Sequence, residues 1–432
     1  MEERHRALLF KQNPQWTGKE IETPEFKRDS FATLDKFLSY KQIIAIIGLR
    51  RVGKTVLLKQ LMKQLKSPEN ACYISFDDRD FQKYETAWEI VQYFLQKIDE
   101  KQQRFLFLDE IQKVPNWPDL LKTIYDTEKN LKIVISGSSS LELKQYKETL
   151  AGRILTFHIP VFMFKELVKY HGLEWKIKKE DVVNEYDKKL ASKKQIYQEL
   201  FQTYLLKGAF PELLEASDEE FVKKYISEVI DKIIEDVSKH IENGKQGEIS
   251  DLIALLCKST GRNFELNNIA EVLKINRNTA SRYVNLLEKT FLIKTSYNYT
   301  KSVAKKLRIS KKGYAAHSCV PISVLNYPFN AVNIDGSDLG HLVETAIASN
   351  LSDFSFWKHQ NDEVDFIINN LPVEVKYQTN ISNGDAAGLI KFMNKFKKKT
   401  ALLVTKDKTE ELKIGEINIL AIPAWLFLLA YT

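Results

Sequence analysis

Five consecutive apolar residues, Ile43-Ile44-Ala45-Ile46-Ile47, run directly into Gly48-Leu49-Arg50-Arg51-Val52-Gly53-Lys54-Thr55. No other feature of the 432-residue chain restricts its fold as tightly. An apolar run of that length without polar alternation fits a strand covered on both faces, as in parallel sheets. The G-x-x-x-x-G-K-T that follows lets backbone N–H groups curve around phosphate oxygens. A helix starting at Lys54 adds a positive partial charge, and the Lys54 ammonium adds a full one. Gly48, Arg50, Arg51, Val52, Gly53, Lys54, Thr55 and Val56 are therefore the expected phosphate cradle, with the Thr55 hydroxyl as a magnesium ligand.

Further strands are expected at Ala71–Phe76, Phe105–Leu108, Lys132–Ile135 and Ile154–Ile159. Helices are expected between them, over Val56–Leu65, Trp88–Ile98 and Leu120–Glu128, and a capped helix precedes the first strand at Ser30–Tyr40. Alternation of this kind predicts an α/β fold with a parallel sheet. The strand Phe105–Leu108 ends in Asp109 and Glu110, at the sheet end where ligands of open α/β folds sit. Asp109 is expected to hold Mg²⁺ through water and Glu110 to orient and deprotonate an attacking water. Ile133-Val134-Ile135 ends in Ser136-Gly137-Ser138-Ser139, hydroxyls that either face the terminal phosphate or cap the next helix. Leu150-Ala151-Gly152-Arg153 then precedes the strand at Ile154.

Taken together, the loop, the Asp-Glu strand, the hydroxyl-ended strand, the Gly-Arg and a Pro-x-x-Phe-x-x-Glu segment resemble AAA+ ATPases. More narrowly they are similar to a prokaryotic family that joins such a module to a C-terminal domain of unknown function. Ile159-Pro160 through Phe164-Lys165-Glu166 and Gly208-Ala209-Phe210-Pro211-Glu212 match recurring segments of that family. The resemblance implies an ATPase with ATP and Mg²⁺ as cofactors. It also implies a catalytic set of Lys54, Glu110 and Arg153, the last as an arginine finger acting between copies of a homo-oligomer. The chain divides on this reading into 1–170, a P-loop NTPase core; 171–244, a helical lid and connector that includes the charge-dense 174–195; 245–313, a winged helix; and 314–432, a small α/β nuclease-like domain.

Charge is concentrated in one place. Between Cys257 and Gly313 stand thirteen Lys and Arg against three acids, a net of +10, so the rest of the chain sums to −3 beneath an overall +7. Asn267–Leu273 reads as a short helix, Ile275-Asn276 as a turn and Arg277–Lys289 as a second helix. Phe291 to Tyr299 would add the hairpin of a winged helix. The face away from the core would carry Arg277, Asn278, Ser281, Arg282 and Asn285, residue types that touch phosphates and base edges. DNA is the expected partner, and a structural or protein-docking module is the alternative.

In the last portion Glu363-Val364-Asp365-Phe366 and Glu374-Val375-Lys376 flank a turn at Asn369-Asn370, which makes a hairpin. The arrangement resembles the PD-(D/E)XK nuclease core. It implies a Mg²⁺ site of Glu344, Asp365 and Glu374 with Lys376 beside it, on a scaffold that is either active or spent. The seven histidines show no ligand spacing, and three scattered cysteines exclude a disulfide framework. The charged N-terminus and the C-terminal apolar run broken by Pro423 argue against a signal peptide and a membrane span, so a cytoplasmic chain is expected. Three functions remain open: an ATPase coupled to a DNA-associated tail, a nucleotide-dependent switch with little turnover, or nucleolysis as the main activity. Glu110 separates the first two, and Asp365 tests the third.

Overall fold

The structure, a computed structural model, describes residues 1–137, 149–175, 182, 193–241, 245–300 and 311–432. These form two compact units, Met1–Pro160 and Val161–Thr432. The serines after Gly137, most of the charge-dense 174–195 and Lys301, Lys305, Lys306 and Arg308 lie outside the described residues.

The first unit is built on a parallel sheet of β1 (Ile43–Ile47), β2 (Ala71–Ser75), β3 (Arg104–Asp109), β4 (Leu131–Gly137) and β5 (Ile154–His158). The strand order is β2-β3-β4-β1-β5. Every residue of β1 is buried because β4 and β5 flank it while helices cover both faces, which is why no polar alternation is seen there. The covering helices are α1 (Glu3–Gln12), α2 (Ser30–Phe37), α3 (Lys54–Lys63), α4 (Tyr84–Lys97) and α5 (Trp117–Thr127). In α4 the buried Ala87, Ile90, Val91, Phe94 and Leu95 recur at helical spacing and face the sheet. Asp29, rather than Ser30, precedes the first turn of α2, and no side chain caps it.

One element is absent from the sequence reading. Residues 1–30 show no clear periodicity, yet α1 forms, with Leu9 its only buried residue. Tertiary bonding fixes it. The fully buried Asn13 lies against edge strand β2, its amide donating to Tyr73 O at 2.8 Å and its Oδ1 accepting from Tyr73 N at 2.7 Å. A side-chain amide thus does for β2 what a further strand would do.

The second unit begins with α6 (Phe164–Tyr170), α7 (Lys194–Lys207) and α8 (Glu219–Ser238). The segments around Phe164 and Gly208 meet here: Phe162 N donates to Ala209 O at 3.0 Å, and Tyr204 OH donates to Phe162 O at 3.0 Å. Glu166 closes the start of α6 by accepting from Met163 N at 3.0 Å, so its place in the sequence pattern has a structural cause. Next come α9 (Gln246–Lys258), β6 (Arg262–Phe264), α10 (Leu266–Val272), α11 (Arg277–Lys289), β7 (Ile293–Tyr297) and β8 (Lys311–Ala315), with an antiparallel sheet ordered β6-β8-β7. The stretch 291–299 therefore supplies one strand, not a hairpin. Its partner β8 begins Lys-Lys-Gly and offers no apolar alternation to betray it.

The unit closes with α12 (Cys319–Val324), α13 (Gly336–Asn350) and a six-stranded sheet. Its strands are β9 (Ser355–His359), β10 (Asp362–Ile368), β11 (Leu371–Val375), β12 (Thr400–Thr405), β13 (Glu410–Ile414) and β14 (Ile417–Pro423), with α14 (Ala387–Phe396) and α15 (Ala424–Ala430). The hairpin at Asn369-Asn370 forms, both asparagines taking positive φ (49° and 68°) as a two-residue turn requires. The far C-terminal apolar run is β14 followed by the buried α15. Among the described residues no helix is long and apolar enough to cross a membrane.

Replacing Asn13 with Ala leaves the buried N–H and C=O of Tyr73 unpaired, a loss of about 1–3 kcal/mol. For a unit of this size that lowers the unfolding midpoint by roughly 3–10 °C, read by circular dichroism.

Candidate functional site

The carboxyl ends of β1, β3 and β4 converge because β4 lies between the other two. Its Ser136 is in register with Ile46 of β1, and Ile135 with Leu108 of β3. The strand tips therefore present Gly48, Asp109 and Ser136 side by side.

Two glycines shape the loop. A Cβ on Gly48 would stand 2.4 Å from Ile159 O, so only a residue without one lets the chain turn here. Gly53 has φ 94°, in the left-handed region, immediately before α3. No side chain caps α3, so its first N–H groups keep the unsatisfied donor capacity that suits an anion. The buried Lys54 ammonium bonds Gly48 O at 3.0 Å and Leu49 O at 2.8 Å. Burial pulls its pKa below the ordinary lysine value, and the charges of Glu110 and Asp109 pull the other way. Arg28, unmarked in sequence, secures the loop from behind, its Nη1 donating to Val52 O at 2.8 Å and Pro160 O at 3.0 Å.

Asp109 is 1% exposed and accepts three hydroxyl bonds. They come from Thr55 (Oγ1 to Oδ2, 2.7 Å), Tyr73 (OH to Oδ2, 2.8 Å) and Ser136 (Oγ to Oδ1). Ser136 also accepts from Glu110 N at 3.2 Å, so it orients the acidic pair. Glu110 holds φ 54°, an uncommon conformation for a non-glycine residue and one concentrated at functional sites. Gln112 Nε2 donates to its carboxylate at 2.5 Å. Tyr73 escaped the sequence reading because a tyrosine in a buried strand looks like core, and burial raises its pKa well above the ordinary value. Thr55 and Asp109 supply the hard oxygen donors a magnesium ion takes.

Arg153 lies elsewhere. Its carbonyl accepts from Ile43 N, at the start of β1, whereas the loop follows the end of that strand. Its guanidinium grips Asp126 with two bonds of 2.9 and 3.0 Å and sits 6.0 Å from the Tyr125 ring centroid. It does not approach Lys54 of its own chain.

In the second unit α11 begins at an Asn276 cap, Oδ1 accepting from Thr279 N at 2.8 Å. Arg277, Asn278, Arg282 and Asn285 are exposed and Ser281 is half-buried. Asn276, Arg277, Asn278, Thr279 and Arg282 line a depression of about 560 Å³. Arg282 donates to His240 O at 2.6 Å. Much of the +10 window points elsewhere. Lys258 and Arg262 lie 3.5 and 4.0 Å from Asp338, Lys294 caps the end of α13 at Leu351 O, and Lys312 is 1% exposed among carboxylates. The count along the chain overstates the basic surface because acids from 338–365 return to neutralise it.

Glu344, Asp365 and Glu374 do share a neighbourhood. Lys312 Nζ bonds Glu344 Oε1 at 3.0 Å and Asp365 Oδ1 at 2.9 Å, while Glu374 pairs with Lys376 at 2.6 Å. Burial, then the Asp365 charge, push the Glu374 carboxyl up to about 8 against the pull of Lys376, and its Oε2 is buried without a hydrogen-bond partner. The Lys312 and Lys376 charges hold the Asp365 carboxyl below the ordinary value despite burial. Among the described residues no group of three or more His, Cys, Asp or Glu is arranged to hold a metal.

Comparison with known proteins agrees with the first unit's architecture. Residues 40–168 match the AAA domain family. Residues 198–326 and 339–427 match two domains of unknown function, DUF8612 and DUF4143. An uncharacterised protein of Methanocaldococcus jannaschii is 29% identical over 93% of this chain and 87% of its own, and a second from the same organism 27% identical over 79% and 76%. Among solved structures, the Aeropyrum pernix Orc1 protein in complex with DNA aligns with a TM-score of 0.30 at 14% identity, over 71% of this chain and 94% of that one. AMPPCP-bound DnaA from Aquifex aeolicus aligns with a TM-score of 0.25 at 16% identity, over 64% and 92%. The five-stranded parallel sheet of the first unit, with the glycine loop between β1 and α3, has the architecture of a P-loop NTPase fold.

Because its pKa is raised on folding, Glu374 costs the fold stability as pH rises from its unfolded value near 4.5 through about 8. Glu374→Gln removes that cost. The stability difference, variant minus wild type, is expected to grow between pH 5 and pH 8 in urea titrations; a difference that shrinks would contradict the assignment.

Proposed function

We propose that the first unit binds and hydrolyses ATP with Mg²⁺, and that the segment from Gln246 to Ala315 is a winged helix that carries nucleotide-dependent action to DNA. The observation that supports the first part most strongly is the buried Asp109 bonded to the Thr55 hydroxyl beside the Lys54 ammonium. Lys54 and the uncapped start of α3 receive the phosphates, with Gly48, Arg50, Arg51, Val52, Gly53 and Val56 forming the loop around them. Thr55 and Asp109 would hold the magnesium ion, which when bound neutralises phosphate charge. Glu110 accepts a proton from the attacking water, and its carboxylate must first exchange the Gln112 amide for that water. Ser136 and Tyr73 keep Asp109 in place.

Lys54→Ala is expected to abolish turnover, measured as released phosphate. Glu110→Gln should retain ATP binding while hydrolysis falls by about 10²-fold or more, the range for loss of a positioned general base. Unchanged turnover in Glu110→Gln would instead mark a slow nucleotide switch. We assign Arg153 to a neighbouring copy's site, reached when Asp126 releases it. Arg153→Ala should then lower turnover while leaving nucleotide affinity intact.

The order helix, strand, two helices, then two antiparallel strands supports the winged-helix reading, with Arg277, Asn278, Ser281 and Arg282 facing the nucleic acid. Removing Arg277 and Arg282 together should weaken duplex binding for all sequences. The slope of log affinity against log salt should fall by roughly one for each phosphate that the variant no longer neutralises, checked by fluorescence anisotropy.

A further inference from the structure

We infer that the Lys312 ammonium is the resident cation of the carboxylate cluster formed by Glu344, Glu363 and Asp365, and that it competes with any divalent metal for the same oxygens. An ammonium has three donors. Here two of them serve Asp365 Oδ1 at 2.9 Å and Glu344 Oε1 at 3.0 Å, and Glu363 Oε1 completes the ring as an ion pair at 2.6 Å. Carboxylate oxygens are the donor type a hard divalent ion takes, but these are drawn around the Lys312 nitrogen, and among the described residues no group of three acids is arranged to hold a metal. Lys312 is 1% exposed and comes from β8, whereas the acids come from α13 and β10. It is therefore built into the cluster and is not a passing surface side chain.

Two further donors hold these acids. Glu344 Oε1 accepts from Tyr314 OH at 2.7 Å, and Asp365 Oδ2 accepts from Val375 N at 2.9 Å. Glu374, the acid a nuclease-like metal site would add, bonds Lys376 instead. A magnesium ion consequently does not fit these residues as they stand, and metal chemistry there requires β8 to withdraw its lysine. The inference is independent of the nucleotide reading.

The test is thermal unfolding of the nucleotide-free full chain in chelator and in millimolar Mn²⁺. Wild type should give the same midpoint in both. Lys312→Met should unfold several degrees earlier in chelator, because buried carboxylates lose their counter-charge. Mn²⁺ should restore much of that loss, and Lys312→Met/Asp365→Asn should show no such recovery. A wild-type Mn²⁺ shift that Asp365→Asn removes would overturn the inference, as would a folded Lys312→Met blind to Mn²⁺. Should Lys312→Met fail to fold, Mn²⁺ spin resonance on Lys54→Ala, whose phosphate loop is disabled, decides. Undiminished free-ion signal supports the inference, and a bound ion that Asp365→Asn releases refutes it.

Discussion

A carboxylate cannot be held at 1% exposure without donors to replace the water it has lost, and Asp109 meets that requirement with three hydroxyls from three different elements. The strand order makes this possible. With β4 inserted between β1 and β3, Ser136 reaches Asp109 from one side, Tyr73 on β2 from the other, and Thr55 from the helix that follows the loop. The same order places the Lys54 ammonium in the field of Asp109 and Glu110, which counteracts the burial that would discharge it. One buried anion thus dictates what its neighbours can be.

The second unit handles buried charge differently. Around Lys312 three acids and one ammonium satisfy each other, and such clusters are costly to break because removing one member strands the rest. Arg277 and Arg282 of α11 are exposed and stand outside that cluster, Arg282 donating to His240 O. Lys294 and Lys312, at the two ends of the same strand pair, have roles unrelated to those arginines: one ends a helix, the other closes a carboxylate cluster.

Periodicity and short motifs were readable wherever the cause of structure is local. The five buried residues of β1, the limits Arg277–Lys289 and the Asn369-Asn370 turn all follow from neighbours in sequence. Helix α1 was not readable, since a single buried Leu9 leaves no amphipathic stripe and its anchor is Asn13 bonded to β2, sixty residues on. Strand β8 was hidden for a related reason. Its inward side chain is a lysine, tolerated in burial only because three acids from distant segments neutralise it.

The amino-acid order by itself determined that a phosphate-type loop follows a buried strand, that an acidic pair ends another, and that a basic helix lies downstream, because strand burial, glycine conformation and helix capping are set within a few residues. Tertiary structure decided that Tyr73 and Ser136 serve Asp109, that Arg153 lies at the opposite end of β1 from Lys54, and that Lys312 closes the carboxylate cluster. Charges and hydroxyls take their roles from whatever the fold brings within about 3 Å, and that distance is blind to separation along the chain.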